Sequence, residues 1–169
     1  MVPKFEVHLE DWYHGIYSYE RWEGKEERFW FIHSFLMTLL KKYNIKAIFY
    51  ILDGIQEKYP NLVKVLSNDG YLVGSHGRYH ERNETMSEAH LFRQPYSWLG
   101  FTGGFWFRVL PLWFLKWQVL KHGLFYIHPH DLDEKHPKLK NPFMNWKRHV
   151  GLKGARKKLE KLLQEVKFE

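Results

Sequence analysis

Apolar and polar positions alternate from Lys4 to Leu9, with Phe5, Val7 and Leu9 set against Glu6 and His8. A period of two is that of a strand buried on one face, and this one ends at the acidic pair Glu10 and Asp11. From Glu27 to Tyr43 the spacing changes. Ile32, Phe35, Leu36, Leu39, Leu40 and Tyr43 recur at three and four, and Lys41 and Lys42 precede Asn44, a residue suited to a left-handed cap. This predicts an amphipathic helix. Lys46 to Leu52 (KAIFYIL) reads as a continuous buried strand, Pro60 to Ser67 as a short helix opening on proline, and Tyr71 to Gly74 as a strand after the Asp69-Gly70 turn. Strand alternating with helix implies a mostly parallel sheet.

Beyond His80 the periodicity weakens: Glu81 to His90 is polar, and Phe92 to Tyr96 is short and contains Pro95. Gly103-Gly104 predicts a turn, Pro111 to Lys121 a helix, and Gly123 to Pro129 (GLFYIHP) another buried strand. A last helix from about Gly154 carries the stripe Leu159, Leu162, Leu163 and Val166. Its cations, Arg156, Lys157, Lys158 and Lys161, read as a solvated face, so no nucleic-acid partner is expected. Without repeats or low-complexity linkers, residues 1–169 form one expected domain.

Composition narrows the chemistry. Aromatic residues make up 18% of the chain, which rules out disorder and supplies rings for both a core and a groove. No cysteine is present, so disulfides and thiolate chemistry are excluded and any metal must sit on His, Asp or Glu. The net charge of +7 favours anionic partners without naming one. The apolar stretches Phe29 to Leu40 and Phe105 to Leu120 are interrupted by His33, Arg108 and Lys116 and fall short of the roughly 20 residues of a membrane span. With no signal-peptide pattern at the start, a soluble, cytoplasmic protein is the expectation.

The densest chemistry follows the third predicted strand, in Gly74-Ser75-His76-Gly77-Arg78-Tyr79-His80. His76 and His80 are four apart, a spacing that lets two imidazoles face one metal ion. In a parallel α/β sheet the carboxyl ends of the strands meet at one site. Glu10 and Asp11, His76 with His80, and His128 all fall at such ends. Two imidazoles and a carboxylate leave metal positions open for water and a carbonyl, which suits a metal hydrolase.

Four blocks carry a resemblance to the polysaccharide deacetylases of the carbohydrate esterase 4 type: Val7-His8-Leu9-Glu10-Asp11-Trp12-Tyr13-His14; Tyr43 to Tyr50 with the run to His80; Phe92-Arg93-Gln94-Pro95-Tyr96; and Gly103 to Pro111 leading to Phe125-Tyr126-Ile127-His128-Pro129. The resemblance implies an α/β fold, an incomplete or distorted (β/α) barrel, and metal-dependent removal of acetyl groups from an N-acetylated glycan. It implies a divalent metal, Zn²⁺, held by Glu10, His76 and His80. The catalytic residues would be Asp11, Arg93, which orients the catalytic carboxylate, and His128, which protonates the leaving amine. The related branch has Asp-x-Glu-Asp where this chain has His8. In one register Glu10 binds metal and the base is lost or replaced by His8; in the other Glu10 is the base and Asp11 the ligand. A catalytically inactive glycan-binding protein is the alternative.

Twelve residues separate His80 from Arg93, and a complete barrel of this kind takes about 250 residues, so at least one βα unit is expected to be absent. The exposed sheet edge would be closed by dimerisation or by the aromatic segment Phe101 to Trp117. Trp12, Tyr13, Tyr96, Trp98 and Trp106 are candidates for a sugar-stacking floor, and Phe29, Phe35, Phe49, Trp113 and Trp117 for the core. His130 and His136 read as surface residues.

Overall fold

The computed structural model describes residues 2–14, 16, 21–77 and 99–169. Its centre is a four-stranded, all-parallel sheet in the order β3-β2-β1-β4, built from β1 (Lys4–Leu9), β2 (Ile48–Ile51), β3 (Leu72–Ser75) and β4 (Leu124–Ile127). The sheet does not close, consistent with an incomplete β/α barrel.

The period of two in β1 divides the sheet faces. Phe5, Val7 and Leu9 are wholly buried, as are Phe49 and Ile51 of β2 and Phe125 and Ile127 of β4. Against this apolar layer lie α1 (Phe29–Lys42), through Ile32, Leu36, Leu39 and Leu40, and α7 (Ala155–Glu165), through Leu159, Leu162 and Leu163. Each such side chain taken from water stabilises the fold by about 1.5–3 kcal/mol. The opposite face carries Glu6, His8, Tyr50 and Tyr126, with His8 opposite Tyr50 and Glu6 opposite Tyr126 in the ladders. It corresponds to the interior of a closed barrel and here carries polar side chains.

Register then sets the site. Leu9 pairs with Ile51 and Ile51 with Ser75, while Val7 pairs with Ile127. The residues just beyond these strand ends, Glu10, His76 and His128, therefore emerge from one end of the sheet.

α1, β2, β3, β4 and α7 lie where the periodicity puts them, and Asn44 has the positive φ of 51° expected after a helix. The Pro60 helix starts at Leu62, as α3 (Leu62–Asn68), and is preceded by α2 (Asp53–Lys58). The predicted helix after Pro111 is α5 (Leu112–His122). It buries Leu115 and Val119, and turns Trp113 and Trp117 outward, 71% and 50% exposed, so these two tryptophans are not core residues. Apolar residues surround this helix, so spacing alone did not select the buried face.

A 3-10 turn (Leu99–Thr102) and α4 (Gly104–Val109) cover β4. At their junction the Gly103 backbone abuts the carbonyl of Tyr126: a Cβ placed on Gly103 would lie 1.9 Å from that oxygen. The segment Phe101 to Trp117 thus supplies a cover for β4, whereas oligomerisation gains no support. Gly103→Ala forces this cover off the strand and is expected to cost about 1–3 kcal/mol. Gly54→Ala, inside α2 with nothing within 4 Å of the added carbon, serves as the control and is expected to be neutral or stabilising. Urea midpoints of the two variants check this; an unchanged Gly103→Ala midpoint would contradict the close packing.

Candidate active site

Glu10 is 2% exposed, and its two oxygens face two imidazoles: Oε2 lies 3.8 Å from His76 Nε2 and Oε1 lies 3.6 Å from His128 Nε2. A carboxylate removed from water to this degree requires positive charge or hydrogen-bond donors around it. His8 forms the floor between them. Its ring centre lies 4.7 Å from that of His76 and 5.2 Å from that of His128, stacks on Tyr126 at 5.3 Å, and has its Nε2 3.5 Å from Glu6 Oε2.

His128 is held from behind. Its Nδ1 lies 3.0 Å from Asp131 Oδ2, and its backbone N–H donates to the same oxygen at 3.2 Å. Arg108 Nε donates to the other oxygen of Asp131 at 3.1 Å. Burial alone would raise the Asp131 pKa, but the His128 hydrogen bond and the neighbouring Arg108 guanidinium outweigh it and hold the carboxyl well below the usual range. An ionised carboxylate only accepts, so Nδ1 of His128 is the donor and Nε2 is left facing Glu10.

The Arg108 guanidinium is itself buried. Its remaining donors go to the carbonyls of Lys147, Arg148 and Val150 at the end of α6 (Pro142–His149), at 3.1, 2.7 and 2.7 Å. Such carbonyls have no partner within their own helix, and a cation there also opposes the helix dipole.

His130 stacks on His128 with ring centres 4.8 Å apart, and Glu10, His128 and His130 each offer a donor atom within 4.8 Å of the others. Arg148 Nη1 lies 2.5 Å from His130 Nε2. Arginine can only donate, so Nε2 accepts and Nδ1 carries the proton. Burial, then Arg148, push the His130 pKa well below its ordinary value. With one nitrogen engaged and the other protonated, His130 is a poor metal ligand. His76 is the better partner for Glu10.

Asp11 points elsewhere. Its Oδ1 accepts from Trp12 N at 2.7 Å, and its Oδ2 from Arg28 N and Phe29 N at 2.6 and 3.1 Å. It therefore satisfies free N–H groups at the start of α1 and fixes the chain immediately after Glu10. Burial raises its pKa to about 6, against the lowering effect of those three backbone hydrogen bonds. His80 and Arg93 lie outside the described residues, as do Tyr96 and Trp98. Trp12 and Tyr13, candidates for a sugar floor, are buried at 6% and 5%, and Trp12 Nε1 donates to the Glu26 carbonyl at 3.0 Å. Trp106 remains 37% exposed.

Arg108, Asp131 and His130 were not among the residues expected at the site. Arg108 showed in the sequence as a break in an apolar stretch and as a member of the Gly103 to Pro111 block, without a role of its own, and Asp131 is an acid three residues after His128. His130 and His136 are buried, contrary to their reading as surface residues: the 3-10 turn Pro129–Leu132 folds back under α6.

Residues 33–97 match the polysaccharide deacetylase family, and residues 83–169, just over half the chain, match a domain of unknown function, DUF3473. The chain belongs to the DUF3473 family, whose model covers just over half of it, and its residues 33–97 carry the polysaccharide deacetylase match. A peptidoglycan-N-acetylglucosamine deacetylase from Bacillus cereus is 36% identical over 53 residues, 31% of this chain. The chain spans about a fifth of that relative's length, 19%. No solved structure matches. The two matches divide the site: His76 falls in the deacetylase match, and Arg108, His128 and Asp131 fall in DUF3473. Glu10 precedes both. No helix among the described residues is long and apolar enough to cross a membrane.

One buried imidazole of this family member gives a test by pH. His136 is held down to about 4, by burial first and then by Arg148 and His149, with a hydrogen bond to the Pro137 carbonyl working the other way. A depressed pKa contributes stability that is fully present above the unfolded value near 6.5 and is lost as pH falls through about 4. The expected loss is on the order of 3 kcal/mol. Melting temperature measured from pH 7 to pH 4 should fall, and His136→Phe should flatten the fall; an identical profile in the variant would contradict the assignment.

Proposed function

We propose that this chain removes acetyl groups from an N-acetylated glycan, using a divalent cation held by Glu10 and His76 together with His80. The observation that carries this reading is the burial of Glu10 between His76 and His128 at the carboxyl end of a parallel sheet. Glu10 and His76 offer oxygen and imidazole nitrogen, donors that suit Zn²⁺. When bound, such a cation polarises the amide carbonyl and lowers the pKa of water beside it.

The remaining work belongs to the chain's own side chains. His128 presents Nε2 to the site and, with both ring nitrogens protonated, delivers its Nε2 proton to the leaving amine. Asp131, clamped by Arg108, accepts from Nδ1, so it orients the ring and stabilises its doubly protonated form. His8 stands between His76 and His128, where the related branch has its leading Asp, and takes the proton of the attacking water. Asp11 fixes the chain after Glu10 and so orients the carboxylate. Arg93 enters through family resemblance alone.

The position of His8 also favours a second reading, a glycan-binding protein without turnover. An imidazole in contact with four aromatic rings, among them Tyr50 and Tyr126, fills the floor of the site. Acetate release from chitooligosaccharide or peptidoglycan fragments at saturating zinc separates the two. For the enzyme, release is expected and His128→Ala should lower it by about 10²–10⁴-fold. No release from either substrate, with sugar binding retained and unchanged in His8→Asp, would overturn the reading in favour of the glycan-binding protein, whereas turnover appearing only in His8→Asp would mark a damaged enzyme.

A further inference from the structure

α6 buries none of its residues, yet it carries Phe143 and Trp146 at 66% and 55% exposure. Leaving large rings in water forgoes the gain of burying them, and a contiguous exposed apolar surface marks a contact site. These two rings are the outer members of a ladder. Phe143 lies 6.0 Å from Trp146, Trp146 lies 6.2 Å from Phe105, Phe105 lies 5.3 Å from Trp106, and Trp106 lies 4.7 Å from Phe101. Successive rings are inclined by 31°, 59°, 76° and 40°, so the row is a stepped apolar surface of faces and edges, long enough for a linear chain of flat-sided units rather than one compact side chain.

The inner end of the ladder is continuous with the active site. Gly104, next to Phe105, lies against the Tyr126 hydroxyl, and the Tyr126 ring lies 5.8 Å from that of His128. Arg108 joins the two regions, since one guanidinium binds Asp131 and the C-terminal carbonyls of α6.

Charge names the class of partner. Between Lys135 and Lys153 the chain carries Lys138, Lys140, Lys147 and Arg148 and no acidic residue. Lys147 Nζ lies 5.9 Å from the Phe105 ring centre. A basic stretch that sets Lys147 beside the ladder repels a glycan rich in free amines and attracts one bearing carboxylates.

We propose that Phe101, Phe105, Trp106, Phe143 and Trp146 form an accessory subsite for an acidic glycan strand, with sugar faces stacked on the rings and carboxylates paired to the flanking lysines. The inference rests on the glycan reading of the active site, but binding tests it without turnover. Calorimetry with the whole chain would compare oligogalacturonate, neutral chitooligosaccharide and phosphatidylglycerol vesicles. Oligogalacturonate should bind at least tenfold more tightly than chitooligosaccharide, weaken with added salt, and lose at least tenfold in Phe143→Ala/Trp146→Ala. Both rings are exposed, so the fold should survive, as circular dichroism would verify. Trp113→Ala/Trp117→Ala on α5 should leave binding unchanged. Equal affinity for the two sugars, or no loss in the α6 variant, would overturn the proposal. So would vesicle binding lost in that variant without any oligogalacturonate binding, which would assign the ladder to a lipid surface. Retained oligogalacturonate binding with no acetate release would sink the enzymatic reading and leave the subsite supported.

Discussion

A carboxylate sealed from water between two imidazoles is the constraint on which the site depends. Removing Glu10 from solvent costs several kcal/mol unless charge or hydrogen bonding returns it. The fold meets this by register. β1 lies inside the sheet with β2 and β4 as its neighbours, and the ends of β3 and β4 deliver His76 and His128 to opposite oxygens of the same carboxylate. The cation proposed above would add full charge to what the two imidazoles supply.

A second buried charge network supports the first. Asp131 stays ionised because His128 and Arg108 face it, and Arg108 in turn caps the carbonyl end of α6. Breaking one member of such a chain leaves a buried charge uncompensated, so its parts stand or fall together. The network lies wholly within the DUF3473 half. That half contributes His128, Asp131 and Arg108 to the candidate site.

The scaffold was largely legible because its signals are local. Alternation in β1, the three-four spacing in α1 and the apolar runs of β2 and β4 each report a buried face, and strand polarity then places Glu10, His76 and His128 at one end. α4 and α6 were not legible for physical reasons. α4 has six residues and opens on a glycine pair that reads equally as a turn, and α6 buries nothing, so no stripe marks it. The tertiary partners of polar residues were equally hidden. Arg108 pairs with an acid 23 positions away, and His130 is buried by an arginine 18 positions on, neither of which spacing reveals. Trp113 and Trp117 show the reverse error, because apolar character without a one-sided period does not choose the buried face.

Calorimetric titration of Zn²⁺ into chelator-treated protein tests the cation site most directly, with Glu10→Ala, His76→Ala and His130→Ala alongside. The expected result is one-to-one binding that is abolished by the first two substitutions and retained in the third, where Arg148 already occupies the imidazole. No binding, or binding indifferent to Glu10 and His76, would contradict the cation site and leave the buried carboxylate as a structural feature of an inactive fold.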